Sequence, residues 1–156
     1  MKIGVISDTH GYLDPRVERI FAGADHILHA GDIGPALLIL ELGFIAPVTA
    51  VLGNNDEGLP FKETETVTLD GSPFLVHHIV QPGSLHERLA ARVAREKPAF
   101  VVFGHTHKAY LGETGGVHFL NPGYAGRPRF GAERSVALMH RDPANPVGWR
   151  IEFIPL

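Results

Sequence analysis

Between Lys2 and Leu52, three short apolar runs alternate with two helical stretches. That alternation constrains the fold more than any other feature of the chain. Lys2–Ser7, His26–Ala30 and Pro47–Leu52 read as buried strands. After the first, Asp14-Pro15 reads as an N-cap with proline at the first helical position. Val17, Ile20 and Phe21 then share a helical face, and Gly23 stops the helix. After the second, Pro35 opens "PALLILEL", ended by Gly43. This stretch is apolar nearly all round, so a buried helix is expected. The rhythm predicts a parallel sheet with right-handed crossovers.

The second half changes character. Thr64–Leu69 and Ser72–His77 flank Asp70-Gly71 and read as a hairpin with a tight turn. Ser84-Leu85-His86-Glu87 has capping-box spacing, with Leu85, Leu89 and Val93 at helical intervals, and Lys97-Pro98 closes the helix. Ala99–Phe103 is a further strand. Lys108–Thr114 and Val117–Leu120 flank Gly115-Gly116 as a second hairpin. Ser135–His140 and Trp149–Ile154 are strands on either side of "RDPANPVG". The pattern predicts an α/β protein with two sheets, partly parallel and partly antiparallel, and helices outside. With 156 residues and no repeat or linker, residues 1–156 are expected to form one domain.

Composition narrows the chemistry. A net charge of −3 gives no electrostatic reason to expect binding to nucleic acid or an anionic membrane. No run is long and apolar enough for a membrane-spanning helix, and "MKIGVISDTH" turns polar too soon for a signal peptide, so a cytoplasmic protein is expected. There is no cysteine. Any metal would therefore be held by histidine, carboxylate, amide or water.

Each strand is followed by a few polar residue types. The first ends in "SDTHG", with Asp8 and His10. The second ends in "AGDIG", with Asp32, and the third in "LGNND", with Asn54, Asn55 and Asp56. The first hairpin ends in "VHHI", with His77 and His78, and the strand after it in "GHTH", with His105 and His107. Sites in open α/β sheets lie beyond the carboxyl ends of the strands. Each D-x-H or H-x-H unit can aim two ligands together, because residues i and i+2 of a strand share a face. A metal pair about 3.5–4 Å apart can clamp the attacking and leaving oxygens of a phosphoryl displacement. Such a pair needs a shared carboxylate, for which Asp32 is the candidate, and neutral imidazoles. Any one of these motifs is common; their order along the chain is not.

That ordered set, closed by "NPG" (Asn121–Gly123), resembles the calcineurin-like metallophosphoesterases over Lys2 to at least Gly123. The size and the "SDTHG" start are most similar to the small bacterial and archaeal phosphodiesterases of that superfamily. The resemblance implies a four-layer αββα sandwich, with two mixed β-sheets packed face to face and helices outside. It also implies two divalent metal ions, manganese foremost, with iron, nickel or zinc as alternatives. Carried over by position, Asp8, His10 and His107 would bind one metal. Asn54, His77 and His105 would bind the other, and Asp32 would bridge them. A metal-bridging hydroxide would attack phosphorus in line with the departing alkoxide. The implied function is a metal-dependent phosphodiesterase acting on a small-molecule phosphoester. The alternatives are a phosphomonoesterase or nucleotidase, and a non-catalytic protein-binding scaffold of the kind retromer contains.

One position departs from the family pattern. Many members carry a histidine after the Gly-Asn of the third motif, and here that residue is Asn55. An amide cannot act as a general acid near neutral pH. Asn55 is left as a candidate substrate contact, and His78 as the nearest candidate proton donor. Asp56 is expected to orient its loop. His26, His29, His86, His118 and His140 read as core or surface residues. "GRPR" (Gly126–Arg129) reads as a surface loop that could bring Arg127 or Arg129 near a phosphate.

Overall fold

A computed structural model describes all 156 residues. In chain order the elements are β1 (Lys2–Ile6), α1 (Arg16–Phe21), β2 (His26–His29), α2 (Leu37–Gly43), β3 (Val48–Ala50), β4 (Thr64–Leu69) and β5 (Ser72–His77). There follow α3 (Glu87–Glu96), β6 (Phe100–Val102), β7 (Tyr110–Thr114), β8 (Val117–Asn121), β9 (Ser135–Arg141) and β10 (Trp149–Pro155). One sheet runs β10-β9-β1-β2-β3 and the other β4-β5-β6-β8-β7. Each has three parallel strands: β1, β2 and β3 in the first, β5, β6 and β8 in the second. The remaining strands are antiparallel extensions.

Three apolar layers hold the molecule together. Ile3, Val5 and Leu28 of the first sheet meet Phe74, Val76, Phe100 and Val102 of the second. Phe74 stacks on Phe100, with ring centroids 5.4 Å apart, and meets Trp149 edge-on; the Trp149 indole N–H donates to Ser72 Oγ at 3.1 Å. Outside the first sheet, Ile6 and Ile27 pack with Val17 and Phe21 of α1 and Leu38 and Leu42 of α2. Outside the second, Leu75 and Val101 pack with Leu89 of α3. Both sheets are thus covered on both faces, the four-layer αββα arrangement that the residue pattern and the family resemblance predict.

Two local expectations fail. The all-round apolar helix is not buried all round. Leu38 and Leu42 face the core, whereas Leu40 is 64% and Phe44 at its C-cap 90% exposed. A single helix laid on a sheet can bury only one stripe, whatever its outer face carries. The cap of α3 is His86, not Ser84. Its Nδ1 accepts from the Leu89 N–H at 3.3 Å, and helical geometry begins only at Glu87. Asp14 does accept from the N–H at the start of α1. It also binds the Arg16 and Arg134 guanidinium groups, which hold its carboxyl far below the usual range against the opposing effect of burial.

Candidate metal centre

All three parallel strands of the first sheet, and β5 and β6 of the second, end at one edge, where their polar exits converge. Of seven non-glycine residues with left-handed backbone, five lie here: Asp8 (φ 56°), His10 (46°), Asp32 (52°), His105 (67°) and His107 (59°). Such backbone costs of order 1–3 kcal/mol per residue and persists only where its surroundings hold it. Here they do. The Asp8 N–H donates to Gly31 O (3.0 Å), His10 N–H to Asp32 O (2.9 Å) and Gly11 N–H to Ile33 O (2.8 Å), continuing the β1–β2 ladder past the strand ends. The D-x-H and H-x-H pairs therefore converge through tight turns rather than through the i, i+2 geometry of a strand.

Asp8 is the hub. Its Oδ2 accepts from Ser7 Oγ (2.7 Å) and the His105 N–H (3.1 Å). Its Oδ1 is buried without a hydrogen-bond partner, and lies 3.1 Å from His107 Nε2 and 3.9 Å from His10 Nε2. Asp32 Oδ2 sits between His10 Nε2 (3.7 Å) and His78 Nε2 (3.4 Å). Asn54 Oδ1 and His105 Nδ1 face each other at 3.0 Å, and the His105 ring stands edge-on to His78.

His77 does not enter this cluster. Its Nδ1 lies 2.8 Å from Thr64 Oγ1 and 3.0 Å from the Glu63 carbonyl, and its ring approaches His86. Strand parity explains the exchange. Phe74 and Val76 of β5 point between the sheets and Leu75 points outward. His77 continues the outward face and His78 the inward one. His78 is buried, with Nδ1 on the Ala30 carbonyl (2.7 Å), and its Nε2 is the second buried atom in the molecule without a partner. A neutral imidazole that donates Nδ1–H to a carbonyl presents an Nε2 lone pair, which is how metal-binding histidines are oriented. The same burial and tether remove His78 as a proton donor to a departing alkoxide.

Asn55 is committed to Asp32 rather than free for a substrate. Its N–H donates to Oδ1 (2.9 Å) and its side-chain amide to Oδ2 (2.7 Å). Burial opposes ionisation of Asp32, but these two bonds and the nearby imidazoles outweigh it and hold the carboxyl below its ordinary range. Asp56 accepts from the N–H groups of Ile33, Gly34 and Gly53, and so staples the β2 and β3 exits together. Gly53 leaves no space for a side chain, since a Cβ there would fall on the Asp32 main-chain nitrogen and Oδ1. Gly104 is equally closed, by Ser7 Oγ and Asp8 Oδ2. Asn121 donates to Gly104 O (2.8 Å) and Thr106 Oγ1 (3.0 Å), which ties the "NPG" segment to the "GHTH" turn.

Sequence reasoning underrated two residues. Arg129 of the "GRPR" loop reaches His107 Nδ1 at 2.8 Å and lies over the Tyr124 ring, on which His107 also stacks. Fully buried His29 lies beneath the turns. Its Nε2 meets Thr9 Oγ1 at 2.9 Å and its Nδ1 accepts from the Gly31 N–H at 3.2 Å. Burial pushes its pKa down to about 3.

Two sets of ligand-type atoms thus gather with Asp8 common to both: Asp8, His10 and His107, and Asp8, Asp32 and His78. The two unpartnered buried atoms, Asp8 Oδ1 and His78 Nε2, face each other at 3.9 Å. Buried polar groups are ordinarily satisfied. A carboxylate oxygen and an imidazole lone pair, both acceptors, cannot satisfy each other, but both satisfy a cation. The donor set therefore fits divalent metal.

Residues 1–143 match the calcineurin-like phosphoesterase superfamily domain. A protein of Methanothermobacter thermautotrophicus named a probable metallophosphoesterase is 31% identical over 150 residues, covering 91% of this chain and 87% of that one. A phosphodiesterase of Methanocaldococcus jannaschii is 28% identical over 143 residues, covering 79% and 83%. Vps29 of Entamoeba histolytica shares the fold, with a TM-score of 0.76 at 22% identity over 100% of this chain and 99% of that one. With its strand-end motifs folded into one cluster and its length matched almost throughout, the chain belongs to the calcineurin-like phosphoesterase superfamily.

Proposed function

We propose that this phosphoester hydrolase is a metal-dependent phosphodiesterase with a dinuclear centre. Asp8, His10 and His107 would hold one cation. Asn54, His78 and His105 would hold the other, with Asp32 the carboxylate available to both. The observation that carries the reading is that Asp32 Oδ2 lies within 3.7 Å of His10 Nε2 and 3.4 Å of His78 Nε2, with the unpartnered Asp8 Oδ1 and His78 Nε2 beside it. When bound, two divalent cations supply Lewis acidity toward a phosphoryl oxygen and make water a usable nucleophile at neutral pH.

The chain's own residues do the rest. Asn55 fixes both oxygens of Asp32, so the shared carboxylate does not rotate as charge develops beside it. Arg129, at the rim on His107, favours an anionic ester over a neutral one. No residue near Asp32 is placed to protonate a poor leaving group, because Asn55 is an amide tied to the carboxylate and His78 is turned inward. This favours esters whose leaving alkoxide needs little help. The M. jannaschii relative's name supports the diester reading. The native metal is most simply manganese, with iron, nickel and zinc compatible with the same donors. Residues 1–156 act as one catalytic domain on a small substrate in the cytoplasm.

Purified protein should hydrolyse bis-p-nitrophenyl phosphate with manganese, bind two metals per chain by calorimetry, and lose activity to a chelator. Inactivity with manganese, nickel, iron and zinc alike would sink the enzyme reading. One metal per chain would sink the dinuclear one, and faster turnover of p-nitrophenyl phosphate would replace diester with monoester.

A further inference from the structure

Three cavities open beside the metal centre, and they differ in chemistry. One, of about 360 Å³, lies at Asn54 and includes Glu63, His77 and His86. A second, of about 570 Å³, lies at His107 and includes Glu133 and Ser135. The third, of about 700 Å³, adjoins His105. Its walls are Ile79, Val80, Pro82, Phe103 and Tyr110, with Lys108 the one cation and no carboxylate on its surface. Phe103 is buried and meets the Tyr110 ring edge-on, with centroids 6.0 Å apart, so that wall is aromatic and braced from behind. Ile79 and Tyr110 are 47% and 40% exposed, apolar surface left open beside a polar site.

We infer that this third cavity seats one ester arm of the substrate, and that the arm is an aromatic or similarly flat apolar group. The inference rests on the phosphodiesterase reading and adds the class of ester to it. Lys108 lines both this cavity and the one at His107, but only the third sets that charge beside an aromatic and aliphatic wall with no carboxylate. The other two each carry a glutamate, which repels the anionic group and offers an apolar arm nothing. Lys108 stands where the apolar recess meets the centre's own residues, His105 and Thr106, and so pairs with the phosphoryl charge rather than with the arm. An arm of phenyl size removes apolar surface from water on both sides, against Ile79 and Pro82 and against Tyr110, whereas a methyl arm removes little.

The test is direct binding to manganese-loaded protein by isothermal titration calorimetry, using phenylphosphonate and methylphosphonate, which carry the same anionic head and differ only in the arm. Phenylphosphonate should bind about tenfold more tightly. Ile79→Asp should bring the two within about twofold of each other. Tyr110→Ala should narrow the ratio in the same direction without adding charge. Lys108→Ala should weaken both ligands and leave their ratio unchanged. Equal affinities in the unsubstituted protein, or a ratio indifferent to both Ile79→Asp and Tyr110→Ala, would overturn the assignment. Hydrolysis of bis-p-nitrophenyl phosphate would still stand in that case, so the two readings fail separately. Failure of phenylphosphonate to bind the metal-loaded protein would likewise overturn the assignment of the arm, while the diesterase reading falls only with the loss of bis-p-nitrophenyl phosphate hydrolysis.

Discussion

The ligand-type residues reach the centre in two ways, and the two differ in what fixes them. Asp8, His10, Asp32, His105 and His107 sit on left-handed turns, the first three pinned by neighbouring backbone and the other two by the Asp8 carboxylate and the Asn121 amide. His78 leaves the end of an ordinary strand, and strand alternation alone decides that it faces inward. A turn-mounted ligand is specified by its local motif. A strand-mounted one is specified by register, and a one-residue slip would present its neighbour instead.

The sharpest break is at the turns. Asp32→Ala removes the carboxylate that lies between His10 and His78 and that Asn55 holds at both oxygens. It should lower diesterase kcat/KM on the order of a thousandfold and reduce metal stoichiometry. A variant that retains two metals and most of its activity would remove Asp32 from the centre.

The strand-mounted ligand gives the next largest effect. His78→Ala should cost on the order of a hundredfold in kcat/KM, whereas His77→Ala, whose ring bonds to Thr64 and the Glu63 carbonyl, should cost less than about tenfold. Steady-state rates at saturating manganese decide it. The reverse order would mean that His77, not His78, faces the metals.

That exchange also marks how far the sequence could be read. The parallel strands, their polar exits and the turn-mounted residues were legible, because "SDTHG", "GD" and "GHTH" place their chemistry next to the glycines that make the turns. His77 and His78 are the same residue type on a strand apolar on both faces, so composition could not separate them. Register could have. The Asp70-Gly71 turn pairs Leu69 with Ser72, and counting back pairs Thr64 with His77. Thr64, Thr66 and Thr68 alternate with the core residues Val67 and Leu69, so His77 belongs to the threonine face. Arg129 was legible only as a loop residue that could approach a phosphate, because its contact with His107 depends on the packing of Tyr124, which no local pattern encodes. The exposed half of α2 was misread because an apolar surface says nothing of whether a second layer covers it.

Asn55 tests whether the turns need help from outside their own backbone. Asn55→Leu keeps the main-chain bond to Asp32 Oδ1 and removes the amide from Oδ2. Loss of such a supporting bond costs about 10–100-fold in activity or metal affinity, and calorimetric manganese titration should show the weaker second site. Asn55→Asp should be worse, since it sets a second negative charge against Asp32. Unchanged affinity in both variants would show that the turn and the main-chain bond hold Asp32 without the side-chain amide.

The smallest effect tests the support beneath the turns, through acid. His29 is neutral in the folded chain. It donates Nε2–H to Thr9 Oγ1, whose own hydrogen goes to Ile33 O at 2.8 Å, and accepts the Gly31 N–H at Nδ1. A proton on Nδ1 would face that N–H. With a folded pKa of about 3 against about 6.5 unfolded, His29 takes up its proton only on unfolding. Its contribution is therefore complete above pH 6.5 and is lost as pH falls toward 3. For one such group, stability drops by about 2 kcal/mol between pH 7 and pH 5, above the range where most carboxylates titrate. Other buried imidazoles add to the wild-type slope, so the measurement is a difference. Urea unfolding of metal-free protein and of His29→Gln, which can still donate and accept, should converge by that amount as pH falls from 7 to 5. Parallel curves would mean that His29 is already protonated in the folded chain. The Gly31 turn that positions Asp32 would then be held by the β1–β2 ladder alone.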